Sequence, residues 1–227
     1  KKIGLAELEE SVDRVIAGPA RKSRLISQKE KEITAYHEAG HAVVAHSLPN
    51  ADPVHKISII SRGMMGGYTR LLPAEDRNMW TYAQFNDTLA TMLGGHTAEN
   101  IIFGEVTTGA SSDLEQVARI SRRMVTDYGM SEKLGPRTFG RREELVFLGR
   151  EIAEQKDYSE KTAEEIDAEV HNIVQRAQNV AREVLTANKE KLVKLAEALI
   201  ANETIEGEPL ETILGKRTND SPDKPAS

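Results

Sequence analysis

Apolar residues recur at spacings of three and four along most of the chain, a pattern that predicts amphipathic α-helices. Ser27 with Glu30, and Thr162 with Glu165, have the spacing of a capping box, which marks where two of these helices would begin. We expect helices at about residues 3–17, 27–48, 81–103, 112–128, 162–187 and 189–202.

One segment departs from the helical pattern. Residues 54–60 are rich in β-branched side chains, residues 62–67 are rich in glycine, and residues 68–72 form a second short strand-like stretch. This order predicts a β-hairpin. The predicted fold class is therefore mainly α, a helical bundle-like domain with a small β-hairpin or sheet beside it.

Composition and charge narrow the classes of function. The chain has 227 residues, 39% of them hydrophobic, and a net charge of −6, which suits a soluble globular protein and argues against a nucleic-acid partner. It has no cysteine, so disulfides, thiolate metal clusters and cysteine nucleophiles are excluded. Any metal needs His and carboxylate ligands, for which six His and 36 acidic residues are available.

The two ends of the chain differ from its middle. The chain starts at Lys1 without a methionine or a signal peptide, which we interpret as a cut inside a longer protein. No apolar run approaches the roughly 18 residues that span a bilayer. Residues 207–227 are polar and are predicted to form a disordered tail, so the main domain is placed at residues 26–206.

The most informative motif is His37-Glu38-Ala39-Gly40-His41. Two imidazoles four residues apart lie on one face of a helix, so both can reach one ion. Glu38 between them is placed to take a proton from the attacking water and return it to a departing amine. The flanking residues are mostly apolar, so this helix should be buried, and Gly40 in its middle suggests a close backbone contact.

A third ligand does not follow from the motif. His46 has the wrong spacing, and Val44 stands where an extended zinc motif would have glycine. Glu99 and Asp113 are both candidates. Glu99 could instead orient a ligating His, and Asp113 could instead cap a helix, so the chemistry alone leaves the two open.

At these residues the sequence resembles the peptidase domain of FtsH, a family of membrane-anchored, ATP-dependent zinc metalloproteases. The resemblance covers roughly residues 1 to 205. The stretches that carry it are residues 35–42, 56–60, 62–63, 67–69, 103–110, 112–114 and 126–131. The departures are His96, where the family usually has Arg, and Asn100, where it usually has an acidic residue.

The resemblance implies that His37, His41 and Asp113 bind one Zn²⁺ per chain, with Glu38 as the catalytic base and Glu99 in a supporting role. It implies a homo-hexamer that hydrolyses unfolded or membrane polypeptides delivered by an ATPase ring. It also implies a parent protein anchored in the inner membrane, with this domain facing the cytoplasm.

Residues 1–25 resemble the end of the family's ATPase lid and its linker. The chain has no Gly-x-x-x-x-Gly-Lys-Ser/Thr phosphate loop, so ATP would bind only in a part of the protein that lies outside this chain.

The predicted strand at residues 56–60 suggests a place for the substrate. An extended peptide can add to an open strand edge through main-chain hydrogen bonds, with little sequence preference. The residues expected to bind substrate in this way are Lys56, Ile57, Ser58, Ile59 and Ile60. The alternative is a purely structural hairpin that covers the core.

Two other functions fit parts of the sequence. The long helices predicted at residues 162–202 would suit a helical oligomerisation module with a structural metal site. A zinc hydrolase acting on another bond is also compatible with the motif alone. A catalytic site would keep an open position beside its three protein ligands, whereas a structural site would be closed.

Overall fold

The structure of the chain, a computed structural model, describes residues 27–62, 66–73, 76–140, 157–215 and 217, together with residues 4, 7–8, 11–12, 14–15 and 18–19. From residue 27 onward, the described residues form seven α-helices and three short strands, which confirms the mainly α fold. The helices are α1 (Gln28–Ser47), α2 (Tyr82–Met92), α3 (Gly94–Phe103), α4 (Ser111–Thr126), α5 (Glu160–Ala187), α6 (Lys189–Asn202) and α7 (Glu208–Leu214).

Helix α1 lies at the centre of the domain. It begins at the predicted capping box, where the Ser27 hydroxyl accepts the Glu30 backbone N–H and the Glu30 side chain accepts the Ser27 N–H. Its buried face packs against α3 on one side and α6 on another. Every residue from Ala35 to Ala45 is buried, which confirms that this helix belongs to the interior.

The predicted hairpin is confirmed, but it is part of a larger sheet. Strands β1 (Val54–Ser58) and β2 (Tyr68–Leu71) are antiparallel, and a third strand, β3 (Thr204–Glu206), pairs with the other side of β1. The strand order is therefore β2-β1-β3, with β1 in the middle.

This order corrects the expected role of residues 56–60. Lys56, Ile57 and Ser58 each have a partner in both β2 and β3, and the Ile59 N–H donates to the Glu203 carbonyl at 2.9 Å. The Ile60 N–H donates to the Ser58 hydroxyl. The prediction that these residues offer an open edge to a peptide is wrong, because β3 already occupies that edge.

Several predicted boundaries also shift. The helix expected at 81–103 is two helices that meet at Leu93, and α5 is capped by the Ser159 hydroxyl rather than by a Thr162 capping box. The polar tail starts later than residue 207, because α7 buries Leu210 and Leu214 against the core. The Arg217 guanidinium extends this packing by donating to carbonyls at the end of α1, among them that of Leu48 at 2.8 Å.

Two expectations lie partly outside the described residues. Of the helix predicted at 3–17, the described residues 7–8, 11–12 and 14–15 are helical. The tail from 218 onward is outside the described part of the chain. Among the helices that are described, none has the length and apolar composition needed to cross a membrane.

Candidate metal centre

Helix α1 presents His37 and His41 on one buried face, one turn apart, with exposures of 8% and 9%. Two glycines, Gly40 and Gly95, allow α3 to approach this face of α1 closely. A Cβ on Gly40 would lie 2.5 Å from the Gly94 carbonyl oxygen, and a Cβ on Gly95 would lie 2.5 Å from the His37 ring. The expected close contact at Gly40 is therefore confirmed: α1 and α3 touch through their backbones.

Asp113 reaches the two imidazoles from the first turn of α4. Its Oδ2 lies 3.2 Å from His37 Nε2 and 3.6 Å from His41 Nε2, and the two Nε2 atoms are 3.0 Å apart. These three side chains are the group of His, Cys, Asp or Glu that could hold a metal ion in the described part of the chain. Glu99, the other candidate for third ligand, does not belong to this group.

Glu99 instead contacts the far side of His37. Its Oε1 lies 2.7 Å from His37 Nδ1, and its Oε2 accepts the Thr107 backbone N–H at 2.7 Å. His41 Nδ1 lies 2.8 Å from the Thr91 carbonyl oxygen. Each imidazole is therefore held by its δ nitrogen, which is the arrangement that metal-ligating histidines usually show.

These contacts determine where the protons are. A carbonyl oxygen only accepts, so His41 Nδ1 carries the hydrogen and its Nε2 has a lone pair when the ring is neutral. The Glu99 carboxylate sets the same tautomer for neutral His37. Two nitrogen lone pairs and a carboxylate oxygen thus converge within 4.8 Å of one another, and this arrangement needs a cation between them.

The donor spacing fits a tetrahedral ion. Bonds of about 2.0–2.1 Å to an ion with tetrahedral angles would set the ligand atoms about 3.3 Å apart. The three separations here run from 3.0 to 3.6 Å. His37, His41 and Asp113 therefore match the donor spacing of a tetrahedral metal site.

The pKa values show how the cluster behaves when a proton takes the place of a metal. Burial alone would lower the pKa of His37, but hydrogen bonds to Asp113 and Glu99 outweigh burial and raise it to about 10. Burial would raise the pKa of Asp113, yet its contacts with His37 and His41 hold it well below the usual range. Contacts with His37 and Thr107 likewise lower the pKa of Glu99 against the opposing effect of burial.

Glu38 lies beside the cluster without belonging to it. Its side chain is buried, and burial raises the pKa of its carboxyl while His41 and His37 oppose the rise. The Thr69 hydroxyl lies 2.8 Å from Glu38 Oε2. A carboxyl with a raised pKa next to a candidate metal site has the properties of a group that accepts and returns a proton.

Some features of the site were not predicted. The contacts of Thr69 and of the Thr91 carbonyl come from residues far away in the sequence, and no local pattern marks them. Gly95 carries a weak signal, because a glycine pair (Gly94-Gly95) inside a helical pattern suggests a close approach. His46 and His96, by contrast, lie outside the ligand cluster.

The fold and the cluster together define a class of protein, a mainly helical hydrolase domain of the His-Glu-x-x-His type. Comparison with known families is consistent with this class. The model of peptidase family M41 matches residues 24–213, so the chain belongs to that family.

Named relatives agree with the family assignment. The chain is 57% identical over 213 residues to the ATP-dependent zinc metalloprotease FtsH 1 of Sphaerobacter thermophilus, and 56% identical to that of Thermomicrobium roseum. A third relative of the same name, from Conexibacter woesei, is 52% identical over 220 residues. These matches cover 94% to 97% of the chain but only 33% to 34% of each relative, so the chain spans about a third of their length.

Proposed function

We propose that this chain is a zinc-dependent endopeptidase domain in which His37, His41 and Asp113 hold one Zn²⁺ and Glu38 is the catalytic base. The observation that carries the proposal is the convergence of three lone-pair donors, at separations of 3.0 to 3.6 Å, beside a buried carboxyl in a chain of peptidase family M41. Zinc is the proposed ion because relatives of this chain are named zinc metalloproteases and the donors are two imidazoles and one carboxylate.

The proposed mechanism gives each side chain one task. A zinc ion in this site would supply Lewis-acid chemistry that activates water and polarises the peptide carbonyl. Glu38 accepts a proton from the attacking water and returns it to the departing amine. Glu99 and the Thr91 carbonyl hold the two imidazoles in the tautomer that leaves their ε nitrogens available.

A polypeptide substrate has to reach Glu38 and Asp113. Glu38 contacts strand β2 through the Thr69 hydroxyl, and Asp113 lies in the first turn of α4. We therefore place the path of the substrate across β2 and the start of α4, rather than along β1.

We further propose the setting in which the domain works. Its substrates are unfolded or membrane polypeptides, delivered by an ATPase ring that lies outside this chain and is linked to it through residues 1–25. The peptidase domain assembles as a homo-hexamer, in a parent protein anchored in the inner membrane with this domain in the cytoplasm. The names of the relatives, which describe ATP-dependent proteases, support this setting, and the main domain then runs from residue 26 to the end of α7.

The experiment measures zinc per chain and cleavage of casein, an unfolded protein, for the wild type, Glu38→Gln and Asp113→Asn. Glu38→Gln should keep zinc and lose cleavage, because it removes only the base. Asp113→Asn should lose or weaken both, because it removes a ligand. Glu32→Gln is the matched control, since Glu32 lies on the same helix but is exposed, and it should change neither.

Two results would contradict the proposal. Full zinc and full activity in Asp113→Asn would remove Asp113 from the ligand set. A wild-type chain that binds no metal would contradict the zinc peptidase itself.

A further inference from the structure

Thr69 is the closest polar neighbour of the proposed base. Its hydroxyl oxygen lies 2.8 Å from Glu38 Oε2 and 3.0 Å from the Glu38 backbone carbonyl oxygen. Thr69 sits in β2 opposite Ile57, a fully buried residue of the central strand, so its backbone is fixed by the sheet. The contact joins two elements that are 31 residues apart in the sequence.

The hydroxyl has one proton to donate and therefore must choose between two acceptors. The Glu38 carbonyl lies inside α1, where the helix already supplies it with an N–H donor. The carboxyl oxygen is the closer acceptor, at 2.8 Å against 3.0 Å for the carbonyl oxygen, and a carboxylate accepts a stronger hydrogen bond than a neutral carbonyl. The hydroxyl should thus donate to Oε2 and leave Oε1 without this constraint.

The backbone of the same strand region supports this contact. A Cβ on Gly67 would lie 3.0 Å from Glu38 Cγ and 2.8 Å from the Ser58 carbonyl oxygen. The chain therefore passes directly against the stem of the Glu38 side chain just before β2 begins. Glu38 is confined by packing along its stem and by a hydrogen bond at its tip.

We propose that Thr69 is a positioning residue for the reaction, which holds Glu38 Oε2 through its hydroxyl so that Oε1 is directed to the substrate side of the site. This inference rests on the proposed function, because it assigns a task to Thr69 only if Glu38 is the base. It adds β2 to the catalytic apparatus: the strand that the substrate crosses also sets the orientation of the base.

The first test compares Thr69→Val, which removes the hydroxyl at nearly constant volume, with Thr69→Ser, which keeps it. On an internally quenched peptide, Thr69→Val should lower kcat about tenfold or more, with KM and zinc content unchanged. Thr69→Ser should restore kcat to within about threefold of the wild type, on the same reasoning. A role of Thr69 in packing alone, through its methyl group, would not be rescued by serine.

The control is Thr204→Val. Thr204 lies in β3 on the opposite side of β1, and its hydroxyl bonds the Ser58 hydroxyl at 2.9 Å instead of Glu38. This variant also removes one hydroxyl hydrogen bond from the same sheet, and it should leave kcat within about twofold of the wild type. If Thr69→Val keeps kcat to that extent, the proposal is overturned.

A second test needs no peptidase activity. In a double-mutant cycle at fixed zinc concentration, Thr69→Val should raise the unfolding equilibrium constant by about fivefold or more when Glu38 is present. The same change should have little effect in a Glu38→Ala background, because the carboxylate partner is gone. An equal effect in both backgrounds would assign the hydroxyl to the Glu38 carbonyl and overturn the proposal.

The two tests separate the possible failures. A wild-type chain that binds zinc but cleaves no peptide would count against the proposed function, while the cycle would still decide whether Thr69 holds the Glu38 carboxylate.

Discussion

The metal-binding region and the C-terminal helices bury their faces in different ways. Where α1 meets α3 around Gly40, the backbones at Gly40 and Gly94 touch, and the Ala98 Cβ lies against them. Where α5 and α6 reach the core, the buried residues are mostly large and aliphatic, namely Ile166, Ile173, Leu185, Leu192, Leu195 and Leu199. The first region fixes the positions of the candidate metal ligands, whereas the second contributes to stability mainly by burying apolar surface.

This difference predicts that stability and metal binding can be changed separately. A large-to-small change in α5 should cost stability and leave the site intact. A small-to-large change in α3 should cost less stability but displace a ligand. Four measurements test this contrast, in order of decreasing expected effect.

Leu185→Ala should destabilise the domain the most. Leu185 is fully buried in α5, and removing such a side chain costs about 2–5 kcal/mol of unfolding free energy. Zinc affinity of the folded protein should stay within about twofold of the wild type, since α5 supplies no ligand. Urea unfolding and a zinc titration with a chromogenic chelator measure the two quantities. A large loss of affinity would show that the core and the site are coupled.

Gly95→Ala should have the opposite effect, with a smaller loss of stability and a large loss of zinc affinity. The added Cβ would lie 2.5 Å from the nearest atoms of the His37 ring, so the ring must leave its place between Glu99 and Asp113. Overpacking of this kind costs about 1–3 kcal/mol of stability. We expect zinc affinity to fall at least about a hundredfold, because a displaced ligand no longer contributes its bond. Gly66→Ala is a control for zinc affinity, since the nearest atom to its Cβ position, Thr34 Oγ1, lies at an ordinary contact distance of 3.7 Å.

Glu99→Gln tests how much Glu99 supports the candidate ligand His37, because the substitution hardly changes the volume of the side chain. In this variant an NH2 donor replaces one carboxylate oxygen, so the remaining amide oxygen can accept from the Thr107 N–H or from His37 Nδ1–H but not from both, and the negative charge is lost. Loss of such a supporting partner typically lowers metal affinity about 10- to 100-fold. The titration used for Gly95→Ala measures this effect. An unchanged affinity would mean that the Glu99 charge does not matter to the ligand.

These predictions also show why parts of the site could be predicted from the sequence and other parts could not. His37, Glu38 and His41 lie within five residues, and the geometry of a helix alone brings the two imidazoles together. Asp113 lies 76 residues from His37. Chemistry alone leaves its role and that of Glu99 open, because either carboxylate could be the ligand or the support.

The sheet shows the same limit. Strand β1 was predicted from its β-branched residues, but its position in the sheet depended on β3, a three-residue strand that directly follows a long helix. Such a strand has no period of its own, and it forms because its residues pair with Lys56, Ile57 and Ser58. The error about the substrate edge followed from this missing strand. Helix α7 was missed for a similar reason, since only Leu210 and Leu214 mark its buried face.

The smallest effect concerns the proton that competes with the metal. In the zinc-free chain the pKa of His37 is raised from its ordinary value of 6.5 to about 10. A group with a raised pKa contributes stability that is fully present below 6.5 and is lost as the pH rises toward 10. Stability of the zinc-free chain should therefore fall by about 1 kcal/mol between pH 6.5 and 7.5.

Zinc reverses the sign of this pH dependence. The metal requires His37 without its ε proton, so raising the pH removes the competitor and zinc affinity should rise over the same interval. Urea unfolding at the two pH values, once with a chelator and once with excess zinc, measures both trends. His37→Gln should abolish the fall in the zinc-free chain, because the titrating group is gone. A zinc-free chain that is equally stable at both pH values would contradict the raised pKa of His37, and with it the argument that the cluster needs a cation.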